Sequence, residues 1–163
     1  RAIDNLNAMR DVEGAHMAET LDADCQQIRT RLDRISELAP RAVDTYRARL
    51  ETKIRRVLTQ HDIEAQPIDL LREVQIYADR ADISEEVTRL GSHLKMFVSV
   101  LAGEGGDSTR REPTGRKLDF VIQEMFRETN TIGSKAADAE VSSQVVEIKC
   151  AIERMRELVQ NLE

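Results

Sequence analysis

The chain has no tryptophan, two tyrosines, three phenylalanines, three prolines and two cysteines in 163 residues. So few aromatics weaken the case for a metal-free RNA-binding module, since such modules stack bases on aromatic rings. The cysteines, Cys25 and Cys150, show neither CxxC nor zinc-ligand spacing, which excludes a zinc ribbon and points to free thiols in a reducing cytoplasm. No run approaches the ~20 apolar residues of a membrane span, and no signal-peptide pattern occurs. P-loop, GxGxxG, HExxH, GxSxG and EF-hand patterns are absent, which removes support for the common nucleotide-binding, protease and calcium readings.

What the chain does have is charge. Charged residues make up 33%, with 30 acids against 24 lysines and arginines, for a net charge of -6. An acidic chain meets nucleic acid only through a focused basic patch. Few β-branched runs and much charge favour long solvated helices over sheet. The first helix is expected over residues 4–39, with a coiled-coil-like seam of Met17, Leu21, Cys25, Ile28, Leu32 and Ile35, and Pro40 is expected to end it. Val43, Tyr46, Leu50, Ile54, Val57 and Leu58 mark a second helix, antiparallel to the first. A third is expected over 68–78. Asp82 with Glu85 three residues on suggests a capping box opening a fourth. Residues 102–114 read as a loop, with Arg110 and Arg111 starting a basic run that reaches Arg116 and Lys117. A fifth helix is expected from 115 to 132 with Gly133 as its stop, and a last one over 138–162. The expected fold is all-α: a long antiparallel helical hairpin (1–80) plus a C-terminal helical bundle (81–163), about six helices in all. The chain opens on Arg1 already in helical pattern and reads as cut from something longer.

Two segments carry more polar chemistry than a core helix needs. In residues 82–93, DISEEVTRLGSH, helical spacing puts Asp82, Glu86, Arg89 and His93 on one shoulder of an apolar stripe. In residues 115–135, GRKLDFVIQEMFRETNTIGSK, Leu118, Val121, Ile122, Met125 and Ile132 face the core. Lys117, Glu124 and Glu128 flank one side; Arg116, Asp119, Gln123, Arg127 and Asn130 flank the other. Glu124 and Glu128 stand at i,i+4, where like charges repel, so a lysine, an arginine or a divalent metal is needed to offset them. Two carboxylates plus a histidine from a facing helix would suit Mg²⁺ or Mn²⁺. Salt-bridged helix faces, with Glu86 on Arg89 and Lys117 on Glu124, account for the same residues. His16 and His61 read as solvated, and both cysteines as buried, unreactive thiols.

At these residues the chain resembles the YicC-like family of bacterial metal-dependent endoribonucleases. The matching pieces are NAMRDVEG (7–14), ADRADISEEVTRLGSHL (78–94), GRKLDFVIQEMFRETNTIGSKAADAEVS (115–142) and RELVQNLE (156–163). The resemblance implies that this chain is the C-terminal helical part of a protein about twice as long, with a β-containing domain before it. It also implies RNA as substrate and a ring-shaped homo-oligomer, a hexamer, that encloses the RNA. The family's motif falls on Asp82, Glu85, Glu86, Arg89 and His93, and on Arg116, Lys117, Asp119, Gln123, Glu124, Arg127 and Glu128. Phe126 stands where the family usually has Asn, Gly91 where it usually has a basic residue, and the 102–114 loop looks longer than usual. Residue chemistry then suggests the roles. Glu86, Glu124, Glu128 and Asp119 would hold a Mn or Mg ion. His93 and Lys117 would move protons beside Glu124 and Glu128. Arg89, Arg116, Lys117, Arg127, Gln123 and Asn130 would contact RNA. A helical scaffold, with 4–39 and 138–162 as oligomerisation elements, is the competing expectation.

Overall fold

The computed structural model describes residues 2–61, 67–103, 114–136 and 138–160, with the backbone alone for residues 2, 6, 11, 42, 43, 57–61 and 67–70. Among the described residues there are five helices and no strand: α1 (Ala2–His61), α2 (Pro67–Ala81), α3 (Ser84–Leu101), α4 (Thr114–Lys135) and α5 (Ala139–Gln160). Expected features at Arg110, Arg111, Leu162 and the His61 side chain lie outside the described residues. No described helix is long and apolar enough to cross a membrane.

The all-α hairpin-plus-bundle architecture holds, but its hairpin turns later than expected. Pro40 does not end the first helix; it lies exposed inside α1. A proline there removes one helical hydrogen bond and crowds the preceding turn, at a cost of about 3 kcal/mol. Packing on both sides outweighs it. Ile35 and Leu38 are in the core just before the proline. Beyond it, Tyr46 stacks on Tyr77 of α2, rings 3.6 Å apart and 6° from parallel. The hairpin is therefore made by the second half of α1 and α2, and α2 starts with Pro67 at its first position, where its missing amide costs nothing.

Leu21, Cys25, Ile28, Leu32, Ile35 and Leu38 of α1 form one wall of a four-helix core with α3, α4 and α5. Packing is most extensive between α3 and α4, α1 and α5, and α4 and α5, with α1 also touching α3. One core thus runs across the division drawn at residue 80. Polar bonds line the α1–α5 seam: Arg154 donates to Asp24 and Gln27, Arg31 to Gln144, and Arg34 to Glu140.

The helix ends follow local chemistry with two corrections. Asp138 caps α5, its Oδ1 accepting from the amides of Glu140 (2.8 Å) and Val141 (3.0 Å). At α3 there is no capping box. Asp82 instead accepts from the Ser84 amide and hydroxyl, while Glu85 turns to Arg89. Gly133 does not stop α4, which continues to Lys135. A Cβ at Gly133 would lie 3.1 Å from Val145 Cγ1, so this glycine lets α4 and α5 approach closely. Gly103, at φ +74°, closes α3 in the left-handed conformation that favours glycine.

Candidate metal centre between α3 and α4

The apolar stripes of α3 and α4 bury Leu90, Leu94 and Phe97 against Leu118, Val121, Ile122, Met125 and Ile132. Burying those stripes fixes an antiparallel register and carries the polar shoulders into contact. Glu86 meets Lys135, Arg89 meets Glu128, and His93 meets Glu124 and Glu128.

At the centre, His93, Glu124 and Glu128 each bring a ligand atom within 4.8 Å of the others. Among the described residues this is the set of acid, histidine and cysteine side chains that converges so closely. Glu128 is only 3% exposed, whereas His93 and Glu124 are half-buried, so the cluster has a buried floor and an open mouth. Donors on opposite sides of a Mg²⁺- or Mn²⁺-sized ion stand roughly 4.2 Å apart, so small side-chain adjustments suffice to meet one cation. Two carboxylates and one imidazole are donors that divalent cations accept, and three protein ligands leave coordination positions for water or substrate. The residues fit a divalent cation.

Among the described residues, the cations that approach the buried Glu128 carboxylate do so loosely. Arg89 Nη1 lies 3.8 Å and Arg127 Nη2 3.7 Å from its Oε1. Both exceed the 2.7–2.9 Å typical of charge-assisted hydrogen bonds. Arg127 also approaches Glu124 at 3.3 Å. The pairing of Glu86 with Arg89 expected from sequence is replaced by a 2.7 Å contact from Arg89 to Glu85.

The remaining expected site residues lie elsewhere. Glu86 is buried two turns before His93, and the Lys135 ammonium donates to its Oε1 at 2.8 Å and to the Asp82 carbonyl at 3.0 Å. Burial pushes the Glu86 carboxyl up, but the Lys135 bond and backbone donation outweigh it and hold it below the ordinary value. Asp119 accepts from Gln123 at 2.7 Å and borders a cleft of about 270 Å³ with Gly115, Arg116, Val159 and Gln160. Neither Glu86 nor Asp119 is among the three converging ligands. Lys117 is half-buried seven residues before Glu124, about 10 Å along the helix. Arg116, Gln123 and Asn130 are exposed along α4, as is Arg127 beside the cluster itself.

Sequence reasoning passed over Lys135. Its one local signal is a lysine in a last helical turn, which says nothing of a partner 49 residues away. Of the two thiols, Cys25 is buried as expected, but Cys150 is exposed, because it follows the α5 seam residue Ile148 by two positions.

A family model described as "Endoribonuclease YicC-like, C-terminal" matches residues 35–163. Two curated relatives are each named probable endoribonuclease YicC. One, from Clostridioides difficile, is 37% identical over 99% of this chain and 53% of its own length. The other, from Haemophilus influenzae, is 33% identical over 96% of this chain and 50% of its own length. The chain thus spans about half the length of these relatives.

Proposed function

The chain belongs to the YicC-like family, and from that premise we propose that it cleaves phosphodiester bonds in RNA with a divalent cation held by Glu124, Glu128 and His93. The observation that carries this reading is the convergence of an imidazole from α3 and two carboxylates from α4 at one partly open point. The relatives' names support the reaction class; the carboxylate-rich donor set supports Mn²⁺ or Mg²⁺.

A bound divalent cation would polarise a phosphoryl oxygen and lower the pKa of a coordinated water or hydroxyl. The chain's own residues supply the rest. Glu128, walled in by α3 and α4, gives a ligand with little freedom to swing away, while Glu124 and His93 close the set from the mouth. Arg89 and Arg127 stand at that mouth, where a phosphodiester would approach. Arg116, Gln123 and Asn130 extend the same exposed track along α4, offering phosphate and base contacts to a strand lying beside it. In this reading His93 is a ligand before it is a proton carrier, and Lys117 stands back from the reacting bond. Glu86 serves the fold through Lys135, and Asp119 orients Gln123.

We also propose assembly into a homo-oligomer, the hexamer implied by the resemblance. The first turns of α1 support association, since they leave Ile3, Met9 and Val12 largely exposed.

The test is cleavage of a labelled structured RNA by the protein in its natural full length and by its Glu124→Ala/Glu128→Ala variant, each with Mn²⁺ and with EDTA. Cleavage only by the unaltered protein with Mn²⁺ is expected. Metal-independent cleavage, or equal cleavage by the variant, would sink the mechanism.

A further inference from the structure

The two arginines at the metal cluster face a choice of partners. Arg127 spans Glu124 (3.3 Å) and Glu128 (3.7 Å) from α4, and Arg89 reaches Glu128 (3.8 Å) from α3. Both guanidinium groups address the same oxygen, Glu128 Oε1. Their charges therefore balance the two ligand carboxylates when no cation is there. They hold those carboxylates loosely, since none of the three contacts is as short as a charge-assisted hydrogen bond. Among the described residues, Arg89 Nε is buried without a hydrogen-bond partner, and the tight ion pair of Arg89 is with the exposed Glu85. The side chains stay 40% and 63% exposed, so neither is locked into the interior.

A divalent cation on Glu124 and Glu128 would take over the charge these arginines now balance. It would also repel them, being of like sign at close range. Among the described residues, Arg89 would then keep only the exposed Glu85, and Arg127 would lose both carboxylates. An RNA phosphate, which a guanidinium meets with two parallel donors, is the anion that would replace them.

Resting on the metal reading above, we propose that Arg89 and Arg127 are shared counter-ions. They pair with the Glu124–Glu128 carboxylates in the metal-free protein and turn to the RNA phosphodiester once a divalent cation occupies those carboxylates. Cation and RNA binding are then positively coupled, each tightening the other by the same factor. The arginines also compete with the cation, so the site has a built-in brake on binding metal when no RNA is present.

The test uses the natural full-length protein, Mn²⁺ followed by calorimetry and by its electron paramagnetic resonance signal, and a 2′-O-methyl oligoribonucleotide whose intactness is checked on a gel. Oligonucleotide affinity should rise about 10-fold or more with saturating Mn²⁺, within the usual range of site–site coupling, and Mn²⁺ affinity should rise equally with oligonucleotide. Arg127→Gln should bind Mn²⁺ more tightly than the unaltered protein when no oligonucleotide is present, and should lose part of the coupling. Arg89→Lys, which keeps the charge but not the fork, should keep Mn²⁺ affinity and lose part of the oligonucleotide gain. Mn²⁺ bound through Glu124 and Glu128 with unchanged oligonucleotide affinity would overturn the proposal and leave the metal reading standing. Weaker Mn²⁺ binding by Arg127→Gln would also overturn it, by making the arginine a scaffold for the ligands. Absence of any Mn²⁺ binding sensitive to Glu124→Ala would remove the metal reading and this proposal together.

Discussion

Lys135, in the last turn of α4, reaches Glu86 in the first turn of α3, its ammonium 2.8 Å from Oε1. The buried carboxylate thereby becomes part of a helix–helix clamp, fastened further by the bond from Lys135 to the Asp82 carbonyl.

Lys135→Met should destabilise the protein by about 1–3 kcal/mol, because it leaves a buried carboxylate without its cation. The Lys135 side chain is 36% exposed, so solvent screening keeps the loss below that of a fully buried pair. The Glu86 carboxyl is held below its ordinary value of 4.5. Its contribution is therefore complete at pH values above 4.5 and is lost as pH falls through the lower folded-state value. Urea unfolding at pH 7 and pH 3 should show a clear gap between the two proteins that shrinks in acid. A gap independent of pH would mean that the lysine acts through packing alone.

Glu86→Gln and Glu124→Gln should part company in metal binding. The first should leave Mn²⁺ affinity within about 2-fold, while the second should lower it by about 100-fold or more, since disturbing even a ligand's outer-shell partner costs about 10–100-fold. Calorimetric titration decides this. Equal losses in both would put Glu86 back among the ligands.

Two of the helical glycines, Gly91 and Gly133, should answer differently to alanine. At Gly91 an added Cβ would rest 3.7 Å from Leu32 Cδ2, an ordinary contact. Gly91→Ala should therefore gain about 0.5–1 kcal/mol from reduced backbone freedom in the unfolded chain. At Gly133 the added Cβ would come within 3.1 Å of the stiff, buried Val145, and strain should cancel or reverse that gain. Thermal unfolding of the two variants is the check, with Gly91→Ala melting higher than the parent and Gly133→Ala not.

The thiols should separate cleanly. Burial pushes Cys25 up to about 12, with Asp22 and Asp24 nearby adding to the effect. Cys150 is exposed on α5. At pH 8 a disulfide-exchange reagent should titrate one thiol per native chain and two in denaturant. Rapid reaction of both in the native protein would contradict the packing of the α1 seam.

Periodicity exposed most of the bundle. The stripes through Ile83, Leu90, Leu94 and Phe97, and through Val141, Val145, Ile148, Ile152, Met155 and Val159, are buried as their spacing demands. Punctuation was less reliable. Pro40 and Gly133 carry strong local stop signals, yet the helix passes through both because neighbouring elements reward its continuation more than the breaker costs. The polar shoulders were also legible, including the i,i+4 repulsion of Glu124 and Glu128 and its need for cations. Which cations answer it was not, since Arg89 and Glu128 are 39 positions apart in sequence and meet only through the α3–α4 register.

The sequence by itself determined the helical class, the buried stripes, the dense polar faces and the family, because each is written in local spacing and in residue order. Tertiary structure alone decided how those faces are shared out. Once the stripes of α3 and α4 pack antiparallel, His93 falls beside Glu124 and Glu128, Glu86 falls beside Lys135, and Asp119 is left with Gln123. A helix repeats every 3.6 residues and so fixes which side chains share a face, but only the packing of one face on another fixes which of them meet.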